Sequence, residues 1–489
     1  MMKKLIEQNI YALLTTATVL ASGLIISLVF TRLLPPVEFG IFLTIISFTM
    51  LFTGISDLGV PNTLIKIAGE SFHSKEGCAG FYVRYLLKWK LAALIIVSSA
   101  LLLFSGEFAK LFLHDAGLAY VIQAVAALVI LYSVIQFICY LFISIGRLEY
   151  QSLVSFILNG SKVLFPLVLI LVLGPSLTAV TFGVLLSFSL AAVASVILWF
   201  LRFKKDLGCA IPRSTRAVNS FLFYSTVISL SGYLLANIDS LLLNYFSGPQ
   251  ELAFFRVGYS VVSTLAALLP ISSTFLLSSL VQMEARKERE LQKKLFERSI
   301  KYGMLASIPL LLLVYLTANR VILFFWPSSY APAALALRIL SISLPFTFLN
   351  GICGSLFMSR GRMKELTINM AIFYLVTWAI GLYLIQSYGL VGTAVTIVLS
   401  AIIQSVVLLR FSLRLLGTHL NPAHFIKPAL LSLIIAFAII VLNPVIKSTM
   451  LLFIIAGALF CISYLPLLDA DDKKLMNALL SIVNLGPLF

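Results

Sequence analysis

Two stretches of this sequence return at one fixed interval. Leu141-Phe142-Ile143-Ser144-Ile145-Gly146-Arg147 reappears 215 residues later as Leu356-Phe357-Met358-Ser359-Arg360-Gly361-Arg362, with five of seven residues shared. At the same offset, Gly174-Pro175-Ser176-Leu177-Thr178-Ala179-Val180-Thr181 becomes Gly389-Leu390-Val391-Gly392-Thr393-Ala394-Val395-Thr396, five of eight shared, and no gap is needed between the blocks. Apolar residues coincide easily, but Gly, Arg, Ser and Thr at one constant offset do not. The pattern reads as an internal duplication, which constrains the fold before any other feature does. A third pair, Pro36-Val37-Glu38-Phe39-Gly40-Ile41-Phe42 and Pro249-Gln250-Glu251-Leu252-Ala253-Phe254-Phe255, lies at an offset of 213, the slip matching a small loop insertion. Each half thus begins and ends at comparable places, which predicts two homologous lobes with an appendix.

The duplicated unit is built for lipid. Of 489 residues 61% are hydrophobic and 11% charged, with mean hydropathy +1.06. That composition defines a polytopic membrane protein. The start, Met1-Met2-Lys3-Lys4 before an apolar run, imitates a secretory signal, yet the run continues to Leu34 without a small-residue cleavage site, so an uncleaved first helix is expected. Fourteen apolar segments are long enough to span: 9–33, 39–60, 81–105, 118–144, 152–175, 177–202, 218–245, 252–282, 302–326, 333–358, 366–386, 389–412, 426–446 and 449–468. The repeat maps spans 1–6 onto 7–12. An even number of spans per copy gives both copies one orientation, with the pseudo-symmetry axis along the membrane normal. The predicted fold is therefore all-α: a six-helix lobe over residues 1–217, a second over 218–420, two further helices within 421–468 and a tail over 469–489.

Basic residues orient the chain. With the N-terminus inside, the cytosolic segments hold 28 of the Lys and Arg residues against six in the outer loops (Arg32, Lys110, Arg256, Arg320, Arg338, Lys447), a strong positive-inside bias that places both termini in the cytosol. The formal charge of +16 then reflects topology beside an anionic leaflet, and no nucleic-acid partner is needed. The densest run, Glu284 to Lys301, mixes both signs and reads as a solvated helical connector, with lipid binding or regulation as the alternative.

Polar groups inside spans carry the functional information, because an ionisable side chain in hydrocarbon is costly and normally faces a bundle interior or a wet cavity. Ser152, Ser155, Asn159, Lys162 and Pro166 follow one another at steps of three and four, which sets them on one helical face. Lys162 is too deep to snorkel easily. Its face lines a cavity or, alternatively, packs against a neighbour with Lys162 paired to an acid. Span 8 repeats the pattern from Arg256 through Ser260, Ser263, Ala267, Pro270 and Thr274. Small-residue stripes in span 7 (Ser225, Ser229, Gly232, Ala236, Asp239) and span 2 (Gly40, Ser47, Gly54, Asp57) are also what close helix packing requires. Asp57 sits near the cytosolic end, where solvation explains it as well as function does; Asp239 is deeper and suits a functional or structural ion pair. Lys88 and Lys90 either snorkel to the cytosol or line an inward-open vestibule.

Catalytic signatures are hard to place. The sequence has no Gly-rich phosphate loop, metal-ligand cluster or nucleophile elbow, so no cofactor or metal is expected. Asp469-Ala470-Asp471 imitates the Asp-x-Asp of glycosyltransferases but lies in a short charged tail. The five cysteines (Cys78, Cys139, Cys209, Cys353, Cys461) lack metal or redox spacing.

The Pro-Val-Glu-Phe-Gly-Ile-Phe turn, Asp57-Leu58-Gly59, Asn237-Ile238-Asp239 with Gly248-Pro249-Gln250-Glu251, and Gly361-Arg362 followed by Gly389-Leu390-Val391-Gly392-Thr393-Ala394 together resemble the polysaccharide-unit flippases of the multidrug/oligosaccharidyl-lipid/polysaccharide exporter superfamily. The likeness covers nearly the whole chain; it departs at Ala253, where Gly is usual, and at Pro35-Pro36 in place of Gly-Pro. It implies two six-helix lobes around a central cavity that alternates its access. It also implies a cargo, an oligosaccharide on a polyprenyl pyrophosphate, flipped across the bacterial cytoplasmic membrane for O-antigen, capsule or exopolysaccharide assembly, alongside membrane lipids and other polysaccharide-assembly proteins. Lys162 and Arg256 suit the pyrophosphate, with Asn159, Lys88 and Arg32 as further substrate contacts and Asp239 and Asp57 as carriers of any coupling ion. The alternatives are a peptidoglycan-precursor flippase, a drug or cation extruder of the same superfamily, and, as an enzyme, a membrane-embedded polysaccharide polymerase or ligase, which would need a long reactive outer loop.

Overall fold

Lipid offers the backbone no hydrogen-bond partners, so each spanning segment must satisfy its own amides, and helices do this within one segment. The computed structural model describes residues 2–73, 79–203, 215–268 and 273–417, with isolated positions beyond, and every regular element among them is helical. In order these are α1 (Met2–Leu33), α2 (Pro36–Asp57), α3 (Val60–Thr63), α4 (Gly69–His73), α5 (Ala79–Leu103), α6 (Ser105–Phe108), α7 (Ala119–Ser144), α8 (Leu148–Leu173), α9 (Leu177–Phe203), α10 (Arg216–Ser247), α11 (Pro249–Leu268), α12 (Ser273–Ala285), α13 (Arg289–Phe325), α14 (Ala333–Ser341), α15 (Leu344–Ser359) and α16 (Met363–Leu416). Eight helices among the described residues are long and apolar enough to cross a membrane, or nine if the bent pair α14–α15 counts as one span. The protein is an all-α, multi-pass membrane protein.

Most expected spans fall on these helices. Span 8 divides between α11 and α12, span 10 is the α14–α15 pair bent by 47°, and spans 11 and 12 lie within α16, broken at Gly389 (φ 51°, ψ −124°). Spans 13 and 14, the tail with Asp469 and Asp471, Pro270, and Cys78, Cys209 and Cys461 lie outside the described residues. Cys139 and Cys353 are buried free thiols.

The duplicated Gly-Arg turns close identically. Helix α7 ends with Gly146 in the left-handed region (φ 74°), its N–H donating to Ile143 O (2.9 Å) and that of Arg147 to Phe142 O (2.9 Å). Helix α15 ends with Gly361 (φ 66°), its N–H donating to Met358 O (3.1 Å) and that of Arg362 to Phe357 O (3.0 Å). This pairing of six-to-one and five-to-two bonds satisfies the last carbonyls of a helix and calls for glycine at the turn.

The chain divides into two compact units. Of the described residues, the first holds those up to Ser260, Trp326–Tyr330 and Ala371–Thr396, and the second those of Val261–Phe325, Ala331–Met370 and from Ile397 on. In the first, α2 runs antiparallel to α10 along its small-residue stripe. A Cβ on Gly54 would overlap the Tyr233 ring, and one on Gly40 would overlap the Pro249 carbonyl, so glycine is what allows the approach. Helix α2 stops where Leu58 (φ 45°) and Gly59 (φ 65°) are both left-handed. Thr226 of α10 donates its hydroxyl to the Leu58 carbonyl (2.7 Å), and that contact helps hold a conformation costly for leucine. The second unit is organised around Phe296, Ile300, Met304, Ile352, Cys353, Leu356 and Phe357, all buried. There the Arg360 guanidinium donates to Gln292 Oε1 (2.8 Å) and Leu415 O (2.6 Å) and faces Glu284 (3.6 Å), tying the ends of α12, α15 and α16 to the start of α13.

Candidate functional site

The charged residues singled out by sequence fall into separate clusters of the first unit. On α8, the expected polar face packs on α1 in parallel. Ser152 and Thr15 share a hydroxyl contact (2.8 Å), Ser152 also donates to Tyr11 O (2.9 Å), and seven residues further along both helices Ser22 donates to Asn159 Oδ1 (3.1 Å). The Lys162 ammonium donates to that same amide oxygen (3.3 Å). Lys162 is half-buried, and no carboxylate among the described residues lies at ion-pair distance from it. One turn on, Pro166 packs so tightly on α9 that Gly183 could carry no side chain. Having no N–H, Pro166 also leaves the carbonyl of Lys162 without its helical donor. A cation and a released carbonyl thus share one turn, while Ser161 and Ser187 clasp α8 to α9 through reciprocal hydroxyl-to-carbonyl bonds of 3.3 and 2.8 Å.

Asp57 is not solvated. Its exposure is 0% and that of Lys90 is 3%, and the two form an ion pair between α2 and α5. Lys90 donates to Oδ1, and the Tyr233 hydroxyl of α10 reaches Oδ2 at 3.3 Å. Tyr140 of α7 lies close to Tyr233 and within electrostatic reach of Asp57, and Tyr132 on the same helix accepts from Gln136 Nε2 at 2.6 Å. Lys88, by contrast, is exposed.

Asp239 and Arg256 form the third cluster. Asp239 Oδ1 accepts from the N–H of Ser240 (2.8 Å), and the carboxylate lies within electrostatic reach of Arg256. The Arg256 guanidinium is 5.7 Å from the centre of the Tyr259 ring, and Tyr259 lies within electrostatic reach of Tyr374 on α16. Arg32 lies exposed in the last turn of α1. Sequence reading placed Lys90 beside Lys88 without giving it a partner. The available signal was opposite charge at similar depth in adjacent spans. Tyr233 and Tyr140 gave no signal, because an aromatic residue in an apolar span looks like core. No group of three or more His, Cys, Asp or Glu side chains suited to a metal occurs among the described residues.

These features, a helical membrane fold with cations placed inside it, define the class; the comparisons give the family. Residues 8–277, more than half of the chain, match the profile of the family described as polysaccharide biosynthesis protein, and the chain belongs to that family. An uncharacterised membrane protein of Methanocaldococcus jannaschii is 22% identical over 300 residues, so the match spans only about half of that relative, 56%. Among solved structures, the lipid II flippase MurJ in an inward closed conformation matches with TM-score 0.76 and 15% identity over 96% of this chain and 100% of that one. An inward-facing multidrug resistance transporter of the MATE family matches with TM-score 0.64 and 15% identity over 82% and 94%. A MOP-superfamily transporter from Pyrococcus furiosus, described as having a binding pocket of reversed polarity, gives 0.58 and 16% over 84% and 94%. At these identities the likeness establishes a shared fold.

Proposed function

We propose that the protein is a flippase that moves a polyprenyl-pyrophosphate-linked oligosaccharide across the bacterial cytoplasmic membrane by alternating access, with both termini cytosolic and the lobes 1–217 and 218–420 rocking about a shared cavity. The observation that carries this reading is the contrast between two lysines inside membrane helices. Lys90 is neutralised by Asp57, whereas the one partner of the Lys162 ammonium among the described residues is the neutral amide of Asn159. A cation held in a membrane helix without a countercharge is costly, and an anionic cargo supplies that countercharge during transport. A pyrophosphate accepts charge-assisted hydrogen bonds from ammonium and guanidinium groups, so Lys162 and Arg256 are its proposed ligands, with Asn159 orienting the lysine and Lys88 and Arg32 as cations along the path. Asp239 is the proposed carrier of any coupling ion. The protein then acts by transport rather than catalysis, beside the enzymes that build and polymerise the glycan.

A peptidoglycan-precursor flippase is the second reading, favoured by the full-length fold match to MurJ. Both cargoes share the polyprenyl pyrophosphate, so Lys162 serves either. A drug or cation extruder fits less well, because the group left uncompensated is basic. Expression in strains lacking either a surface-polysaccharide flippase or the lipid II flippase separates the readings. Restored surface glycan supports the proposal, restored peptidoglycan synthesis supports the second, and neither in a membrane-inserted protein refutes both.

A further inference from the structure

The Asp57–Lys90 pair is used by none of the steps above, and its geometry is closed. Carboxylate oxygen Oδ1 accepts from Lys90 on α5 and Oδ2 from the Tyr233 hydroxyl on α10. The titratable groups facing Asp57 from the remaining packed element, α7, are Tyr132 and Tyr140, with Cys139 beside them. Lys90 is therefore the cation that meets Asp57, and it is covalently tethered. The carboxylate is wholly buried where α2 breaks at Leu58-Gly59, a position at which a bare negative charge would demand a mobile cation or a proton.

We propose that the Lys90 ammonium is a built-in counter-ion: it holds the place that a sodium ion or a proton would otherwise take on Asp57, so this junction of α2, α5 and α10 carries no coupling cation. A carboxylate and an ammonium sum to zero charge, so the pair can persist through a conformational cycle without loading or releasing an ion. Its role is then positional. It fixes Tyr233 over Gly54 and the α2 break against α10, where Thr226 grips Leu58. The consequence for coupling rests on the flippase reading; the cation site itself does not.

The test uses the full-length protein in lipid nanodiscs, with thermal unfolding measured in sodium chloride and in choline chloride at equal ionic strength. The wild type should unfold at the same midpoint in both salts. Lys90→Ala should unfold roughly 5 °C lower or more. It should regain stability with n-propylammonium, which replaces the atoms removed, and should now be more stable in sodium than in choline. The double variant Asp57→Asn with Lys90→Met should unfold near the wild type and ignore both cations, because removing a buried pair together avoids stranding a charge. A wild type stabilised by sodium over choline overturns the proposal. So does a double variant no more stable than Asp57→Asn alone, or a folded Lys90→Ala that responds to neither cation. If Lys90→Ala does not fold, the wild-type and double-variant measurements still decide. A failure of the flippase reading would appear in the complementation strains and leave these midpoints untouched.

Discussion

Two lysines inside the first unit, Lys90 and Lys162, meet the same physical problem differently. Lys90 is 3% exposed and fixed to a carboxylate, whose other oxygen the Tyr233 hydroxyl reaches. Lys162 leans on a neutral amide that Ser22 already occupies, on a turn where Pro166 has released a carbonyl. The first arrangement is electrically finished and serves the fold; the second is electrically incomplete, which is why Lys162 is the proposed ligand site. Burial alone therefore does not mark a functional charge in a membrane protein. What separates Lys162 from Lys90 is that no carboxylate among the described residues answers it.

The largest expected effect breaks the Lys90 side of this comparison. Lys90→Met strands Asp57 in the interior and should cost about 3–5 kcal/mol in unfolding measurements, the cost of leaving one half of a buried pair. The same change at Lys162 should leave the unfolding midpoint equal or higher, because it removes an uncompensated charge. If both variants lose the same stability, the distinction falls.

Next comes the packing that presents Tyr233 to Asp57. Gly54→Leu forces a side chain into the Tyr233 ring and should destabilise by about 1–3 kcal/mol. A cysteine cross-link between α2 and α10 forming equally well with and without the substitution would contradict this.

On the Lys162 side, Lys162→Ala should weaken cargo binding ten- to a hundred-fold, or about 1.5–3 kcal/mol, while membrane insertion stays normal. Lys162→Arg should retain part of the activity. Binding of a short-chain polyprenyl pyrophosphate to the purified protein measures both. Wild-type affinity in Lys162→Ala would remove the residue from the site.

The smallest effect concerns the duplication. Glu251 accepts the N–H of Leu390 (2.8 Å) and so caps the break at Gly389. Its counterpart Glu38 faces the opposite situation, because the residue matching Leu390 is Pro175, which has no N–H, and Glu38 Oε2 is buried without a hydrogen-bond partner among the described residues. Glu251→Gln should cost about 1 kcal/mol, whereas Glu38→Gln should be neutral or stabilising. Hydrogen exchange around residues 386–392 should quicken only in the first.

The repeat itself made the helical scaffold legible, since Gly146-Arg147 and Gly361-Arg362 demanded the same turn and received it. The stripe on α8 was also legible from its spacing, but what it faces was not: Ser152 and Asn159 meet α1, a partner 137 residues away for both contacts. For Asp57 the sequence left solvation and function equally open, because distance from a span's end says nothing about what covers it; the structure buries it completely. The α14–α15 bend and the α2 break were invisible to hydropathy, which averages over the few residues where the backbone turns.

By itself the sequence determined the helical membrane class, the duplication and the residues whose charge has to be accounted for. These follow from local rules: an apolar run in lipid must be helical, a glycine at a tight turn must take a positive φ, and an ionisable group in hydrocarbon must be answered. Only the tertiary structure decided which charges are answered within the chain. Lys90 meets Asp57 across 33 residues of sequence, and Tyr233 reaches the same carboxylate across 176. The small-residue stripe of α2 signalled a close approach, but that its partner is α10, with Tyr233 over Gly54, depends on contacts far apart in sequence that no local pattern encodes.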